Sequence, residues 1–213
     1  MATLIPPFLR WFFRHLYTDL AWSYNIVAWL VSLGRWGEWQ QACFERLPQG
    51  DVLELGHGPG HVLLSLAQSR AQAVGLDPSP QMGNIARRRL RRHGCLARLV
   101  RGRAQALPFQ AASFDGVVAT FPAEYVFEPG VAHEVWRVLH SGGRLVIIPV
   151  AIFLPTSLIH RVTAWLFRVT GQAEEAGPDW TTPFLQAGFS VEVERLEQRG
   201  SVVIRLVASK PAA

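Results

Sequence analysis

The chain has 213 residues, enough for one domain with a full core; 49% are apolar and 17% charged, which excludes a disordered chain. A net charge of +5 and a pI of about 10.0 permit contact with nucleic acid or an anionic membrane without establishing either. Two cysteines, Cys43 and Cys95, lack metal-type spacing, and the N-terminus lacks a signal-peptide pattern, so a reduced, cytoplasmic protein with no bound metal is expected.

Residues 1–48 precede the core. Leu9, Phe12, Phe13, Leu16 and Leu20 fall at helical spacing, and Trp22, Ile26, Trp29, Leu30 and Leu33 repeat the pattern. Gly34 and Gly37 interrupt it. No apolar run reaches the roughly 18–20 residues of a spanning helix. Two readings stand: a helical cap covering a cleft, or a helix in a membrane interface, where Trp, Phe and Arg are favoured.

Residues 49–213 read as one α/β domain. Strands are expected at Val52–Leu55, at 73–76 ending on Asp77, and at 97–101, 114–119 and 144–150. A closing hairpin follows at 191–196 and 201–208. Helices are expected at His61–Ser69, Gln81–His93 and Val131–Leu139, the last stopped by Ser141-Gly142-Gly143 as a left-handed cap. A further amphipathic helix is expected around 158–169, and residues 210–213 are expected to fray. The run Arg87-Arg88-Arg89-Leu90-Arg91-Arg92 reads first as a solvated helix face.

Gly56, Gly58 and Gly60 close the first strand. A turn without Cβ atoms lets a ligand lie on the backbone, and the next helix turns its N–H groups toward it. The spacing is G-x-G-x-G, not the G-x-G-x-x-G of a dinucleotide fold, and no G-K-[ST] follows for a phosphate loop. Asp77 lies about 20 residues on, where a Rossmann-type site holds its ribose-binding acid.

ELGHGPG from Glu54, GLDPSPQM from Gly75, RGRAQALPFQAASFDGVV from Arg101 and EVWRVLHSGGRLVI from Glu134 together resemble the class I S-adenosylmethionine (SAM) methyltransferases. The resemblance is nearest to the ubiquinone/menaquinone C-methyltransferase group and covers roughly residues 51–150. It implies a Rossmann-like, doubly wound, mostly parallel seven-stranded sheet with helices on both faces. It also implies SAM as cofactor and S-adenosylhomocysteine as product. On that resemblance Glu54, Gly56, His57, Gly58 and Gly60 would hold the methionine moiety, Asp77 and Pro78 the ribose, and Met82, Ala104 and Gln105 the adenine. Thr120, Phe121 and Tyr24 would line the methyl channel, Tyr24 offering its ring to the sulfonium. The family's Tyr-Asp element is here Tyr24-Asn25. The family's adenine-binding Asp is here Arg103, which cannot accept a hydrogen bond, so backbone groups near Ala104, the Gln105 amide or a stacked guanidinium must serve. If the acceptor needs a base, His57, Glu124 or His133 are candidates, each also readable as an ordinary core or surface residue.

Thr120-Phe121-Pro122-Ala123-Glu124-Tyr125 lacks the D/N-P-P-Y/F tetrad of base amino-methylases, which counts against a nucleic-acid substrate. The expected reaction is in-line methyl transfer to a small, apolar or aromatic acceptor. A membrane-surface phospholipid N-methyltransferase and a non-catalytic SAM-binding protein are the competing readings. Peripheral contact with the inner membrane face is left open.

Overall fold

The computed structural model describes residues 32–69, 72–154 and 179–212. Seven strands form one sheet in the order β3-β2-β1-β4-β5-β7-β6. They are β1 Asp51–Leu55, β2 Gln72–Asp77, β3 Arg98–Arg101, β4 Phe114–Thr120, β5 Leu139–Phe153, β6 Ser190–Gln198 and β7 Ser201–Ser209. The first five are mutually parallel, and β7 runs antiparallel to both β5 and β6. Alternate side chains leave opposite faces. Leu53, Leu55, Val117 and Leu145 enter one core with helix α4, Pro129–Val138. Val52, Val118, Val146 and Val203 enter another with α2, His61–Gln68, and Leu90 of α3, Pro80–Arg92. Burial on both faces explains why these strands read as unbroken apolar runs. The sheet is the expected doubly wound one, and its order reverses between β1 and β4. In open α/β sheets ligands bind outside the carboxyl ends of the strands at that reversal.

The described part of the N-terminal segment packs across the β4 and β5 ends. Gly37 lies inside helix α1, Trp36–Gln41, rather than interrupting one. Trp39 is fully buried, meets Phe153 edge-on at 5.1 Å and donates from Nε1 to Ser201 Oγ at 2.9 Å. Farther on, the buried Arg205 of β7 donates to Ala42 O (2.5 Å), Glu45 (2.8 Å) and Glu194 (2.5 Å). Arg46 also pairs with Glu194, and reaches Glu192 at 3.0 Å. This network ties the segment before β1 to the closing hairpin. Tyr24, Asn25 and the expected helices before residue 32 and around 158–169 lie outside the described residues.

Two expectations are corrected. Helix α4 ends at Val138, and Leu139 is already extended and paired with Phe114, so Ser141-Gly142-Gly143 belongs to β5 and is no helix cap. Gly142 keeps a positive φ of 79°, while a Cβ on Gly143 would lie 2.9 Å from Asp115 O. Gly143 thus lets β5 pass close to β4, while Gly142 supplies the left-handed bend. The second correction concerns Lys210, which is not frayed. Its Nζ donates to Trp136 O (2.8 Å) and Leu139 O (2.7 Å) at the end of α4, and its N–H donates to Gly143 O. A cation on the negative end of a helix accounts for its fixed position.

Candidate active site

The carboxyl ends of β1, β2 and β4 converge on the glycine turn. The N–H groups of Gly56 and His57 donate to Leu76 O at 2.8 and 3.3 Å, pinning the turn to β2. All three glycines have positive φ, but their neighbours differ. A Cβ on Gly60 would meet Ala86 Cβ at 2.8 Å, so Gly60 lets α2 approach α3. A Cβ on Gly56 would meet the Tyr125 hydroxyl at 2.7 Å. Among the described residues, a Cβ on Gly58 would meet nothing nearer than 4.0 Å, so none of them fills the space against its backbone.

Asp77 closes the turn from β2. Its Oδ2 accepts from Gly58 N at 2.9 Å and its Oδ1 from Ser79 N at 2.8 Å. Each oxygen keeps a second lone pair. The same corner starts α3, where Ser79 Oγ accepts from Met82 N at 3.2 Å and Pro80 takes the first helical position. Met82 is fully enclosed, whereas Pro78 is exposed and accepts from Arg101 Nε at 3.2 Å.

Glu54 is the least satisfied group here. It is 2% exposed, and its Oε2 has no hydrogen-bond partner among the described residues. Burial pushes its pKa well above the ordinary carboxylate value, Asp77 adds to the rise, and a hydrogen bond from the Leu63 backbone opposes it. His57 is also buried. Its Nδ1 lies 2.8 Å from Gly58 O, and its ring packs where Gly75 has no Cβ. Burial lowers its pKa, with Asp77 acting the other way. It therefore sits behind the turn as a neutral imidazole.

At the end of β4 the chain bends sharply. Phe121 has φ 47°, a left-handed value that costs a bulky residue roughly 1–3 kcal/mol and recurs at functional sites. Its N–H donates to Ile148 O at 2.7 Å, and its ring lies 4.2 Å from that of Trp36 and 6.2 Å from Trp39. Thr120 Oγ1 accepts from Gln40 Nε2 at 3.1 Å. Thus α1 supplies an aromatic and amide wall beside the strand end that the sequence placed at the methyl channel.

Beyond β3, Ala104 is buried and Gln105 is exposed, its Nε2 donating to Glu128 Oε2 at 2.9 Å. Arg103 makes a bridge with Ala106. Glu124 is exposed on the surface, and so is His133, whose Nδ1 lies 2.7 Å from Pro129 O of its own helix. Glu54, Gly56, His57, Gly58 and Asp77 are therefore brought together, Thr120 and Phe121 join them across β4, and the described contacts bring neither Glu124 nor His133 to the turn. Sequence reasoning missed Tyr125, Trp36 and Gln40. Only the aromatic after β4 and the tryptophan crowding before β1 signalled them.

A buried carboxylate oxygen without a partner, beside backbone with open space, fits a ligand with a cationic group on a flexible polar body. Strand order, reversal point and glycine turn define a class I, Rossmann-like SAM-binding fold. Comparison with known proteins agrees. Residues 52–143 match the family described as a methyltransferase domain. An uncharacterized methyltransferase of Synechocystis sp. is 32% identical over 99% of both chains. A demethylmenaquinone methyltransferase of Thermus thermophilus is 33% identical over 62% of this chain and 63% of its own length, and one of Deinococcus radiodurans is 33% identical over 63% and 58%. The chain thus spans less than two thirds of those two relatives. Among solved structures, a SAM-dependent methyltransferase of Thermotoga maritima superposes with TM-score 0.65 at 23% identity, over 92% of this chain and 98% of that one. The chain belongs to the class I SAM-dependent methyltransferases, and its cofactor is SAM.

Proposed function

We propose that the protein methylates a small, apolar aromatic acceptor of the reduced-quinone type, in line with the methyl–sulfur bond. The observation that carries this reading is the half-buried Trp36–Phe121 pair at the end of β4, backed by the buried Trp39. Such a pair gives a flat ring an apolar surface to stack on. The demethylmenaquinone methyltransferases among the relatives support the same acceptor class.

SAM, when bound, supplies an activated methyl group on a sulfonium. This chain's residues then have separable tasks. The free oxygen of Glu54 accepts from the ligand's ammonium group, and the open face of Gly58 seats its chain. Asp77 uses its remaining lone pairs for the ribose hydroxyls, next to Pro78. The Gln105 carbonyl and the Glu128 carboxylate supply the adenine acceptors that Arg103 cannot, with Ala104 beside them and Met82 holding the first turn of α3. Tyr125 places its hydroxyl against Gly56, toward the reacting end, beside the role proposed for Tyr24. No base is assigned. Holding the partners in line in a dry cleft can supply about 7–11 kcal/mol of the barrier.

The test is incubation of the full chain with SAM and a reduced naphthoquinone that lacks its ring methyl. Expected is one added methyl on a ring carbon, by mass and NMR. Methylation of phosphoethanolamine but of no quinol would overturn the acceptor class.

A further inference from the structure

The edge of the sheet away from the closing hairpin carries an unusual charge pattern. From Pro78 to Phe114 the chain has eight arginines and no Asp or Glu, although the whole chain has 16 acids against 21 Lys and Arg. That stretch forms α3 and the edge strand β3. Arg87, Arg88, Arg91, Arg92, Arg98, Arg101 and Arg103 are all exposed. None forms an ion pair with a carboxylate among the described residues; Arg87 bonds Asn84 and Arg101 bonds Pro78 O. Arg88, Arg89 and Arg92 line a shallow hollow with Ile85 and His93, and Arg89 keeps a buried Nη1 without an acceptor. Between α3 and β3 the loop presents Leu96, 95% exposed, flanked in sequence by Arg92 and Arg98.

We propose that this edge docks the protein on an anionic phospholipid bilayer, the arginines meeting the headgroups and Leu96 entering the acyl boundary. Seven unpaired cations on one edge are costly for folding, because they repel one another, and they become favourable beside fixed negative charge. Each basic residue near an anionic surface adds to the attraction, which falls off within a Debye length. A lone leucine on a ring of cations matches the layered polarity of a membrane interface. A single-stranded nucleic acid fits less well. Its sites combine cations with stacking aromatics, and residues 78–108 contain no Phe, Tyr or Trp. Docking is independent of which acceptor is methylated.

Cosedimentation of the full chain with vesicles tests this. It should bind vesicles of phosphatidylcholine and phosphatidylglycerol at low ionic strength, release at high salt, and ignore pure phosphatidylcholine. Arg88→Glu with Arg92→Glu should weaken binding at least about tenfold, and Leu96→Ser several-fold. Arg195→Glu, on the exposed face of β6, should leave it intact, which separates this edge from overall positive charge. Calorimetric SAM binding, unchanged in all variants, shows that they are folded. Equal binding to neutral vesicles, or an Arg195→Glu loss matching the double variant, would overturn the proposal. So would binding to RNA with none to vesicles.

Discussion

The two halves of the sheet pair their polar groups to different degrees. In the β4-β5-β7-β6 half an ion-pair and hydrogen-bond network joins the hairpin to the segment before β1, although Arg144 Nε and Gln198 Oε1 are buried without a partner among the described residues. Arg205 has three acceptors, Glu194 takes two arginines, Ser201 takes Trp39 and gives to Gln198, and Lys210 ends α4. In the β1-β2-β3 half, among the described residues, Glu54 keeps a bare buried oxygen, nothing fills the face of Gly58, and the arginines of α3 and β3 pair with no acid. A buried polar group left without a partner costs roughly 1–3 kcal/mol. The unpartnered atom that faces the glycine turn is the Glu54 oxygen, on β1. Most of the internal ion pairing thus lies on one side of the β1–β4 seam, and the proposed cofactor seat on the other.

The sharpest way to break this division is to damage each half and read both properties. Arg205→Ala takes its arginine donor from the Ala42 carbonyl and one of two arginines from Glu194, and should cost about 1–3 kcal/mol by urea unfolding. SAM affinity, by calorimetry, should barely change. Asp77→Ala should do the reverse. Losing charge-assisted hydrogen bonds of about 1.5–3 kcal/mol each to the ribose should weaken SAM at least about 100-fold. A large loss of affinity with Arg205→Ala would erase the distinction.

The two glutamates extend it to pH. Hydrogen bonds from Arg46, and then Arg205, lower the Glu194 pKa. Its stabilisation is present above the ordinary carboxylate pKa of about 4.3 and is lost as pH falls through the depressed value. Glu54 runs the other way. Its folded pKa is raised, so its stabilisation is full below about pH 4.3 and is lost as pH rises through the raised value. Glu54→Gln should therefore raise the melting temperature toward neutral pH and flatten that limb, while weakening SAM binding. It should also remove the rise in SAM affinity with pH, because the cationic ligand prefers the ionised carboxylate. Glu194→Gln should flatten only the acid limb. Wild-type-like melting of Glu54→Gln across neutral pH would mean that Glu54 is satisfied after all.

Much of this arrangement was legible in the sequence. Strands buried on both faces announce themselves as Val/Leu runs ending in the glycine turn or Asp77, and the resemblance carried by the four motif blocks implied a doubly wound, seven-stranded sheet and SAM as cofactor. The division of labour among the glycines was not legible. It depends on Ala86 and Tyr125, which reach Gly60 and Gly56 from distant elements. Nor was the bare oxygen of Glu54, since a glutamate between Leu53 and Leu55 does not reveal what its carboxylate meets. Ser141-Gly142-Gly143 misled because the same residues suit a helix stop and a close strand crossing.

The smallest effect tests how the pairing of the hairpin half ends. Lys210 lies over Trp136 at 5.0 Å and gives its ammonium to two carbonyls at the end of α4. Lys210→Met keeps an unbranched side chain on the indole and removes only the charge and the donors. A cation at a helix C-terminus contributes about 0.3–1 kcal/mol, and the half-buried setting adds part of a hydrogen bond. The loss should be about 1–2 kcal/mol of stability, with SAM affinity and vesicle binding unaltered. Adding salt should shrink the difference between variant and wild type only slightly, because a partly buried charge is poorly screened. A variant as stable as wild type would mean that water replaces the ammonium at those carbonyls, and that the last strand is held by its ladder to β5 and β6 alone.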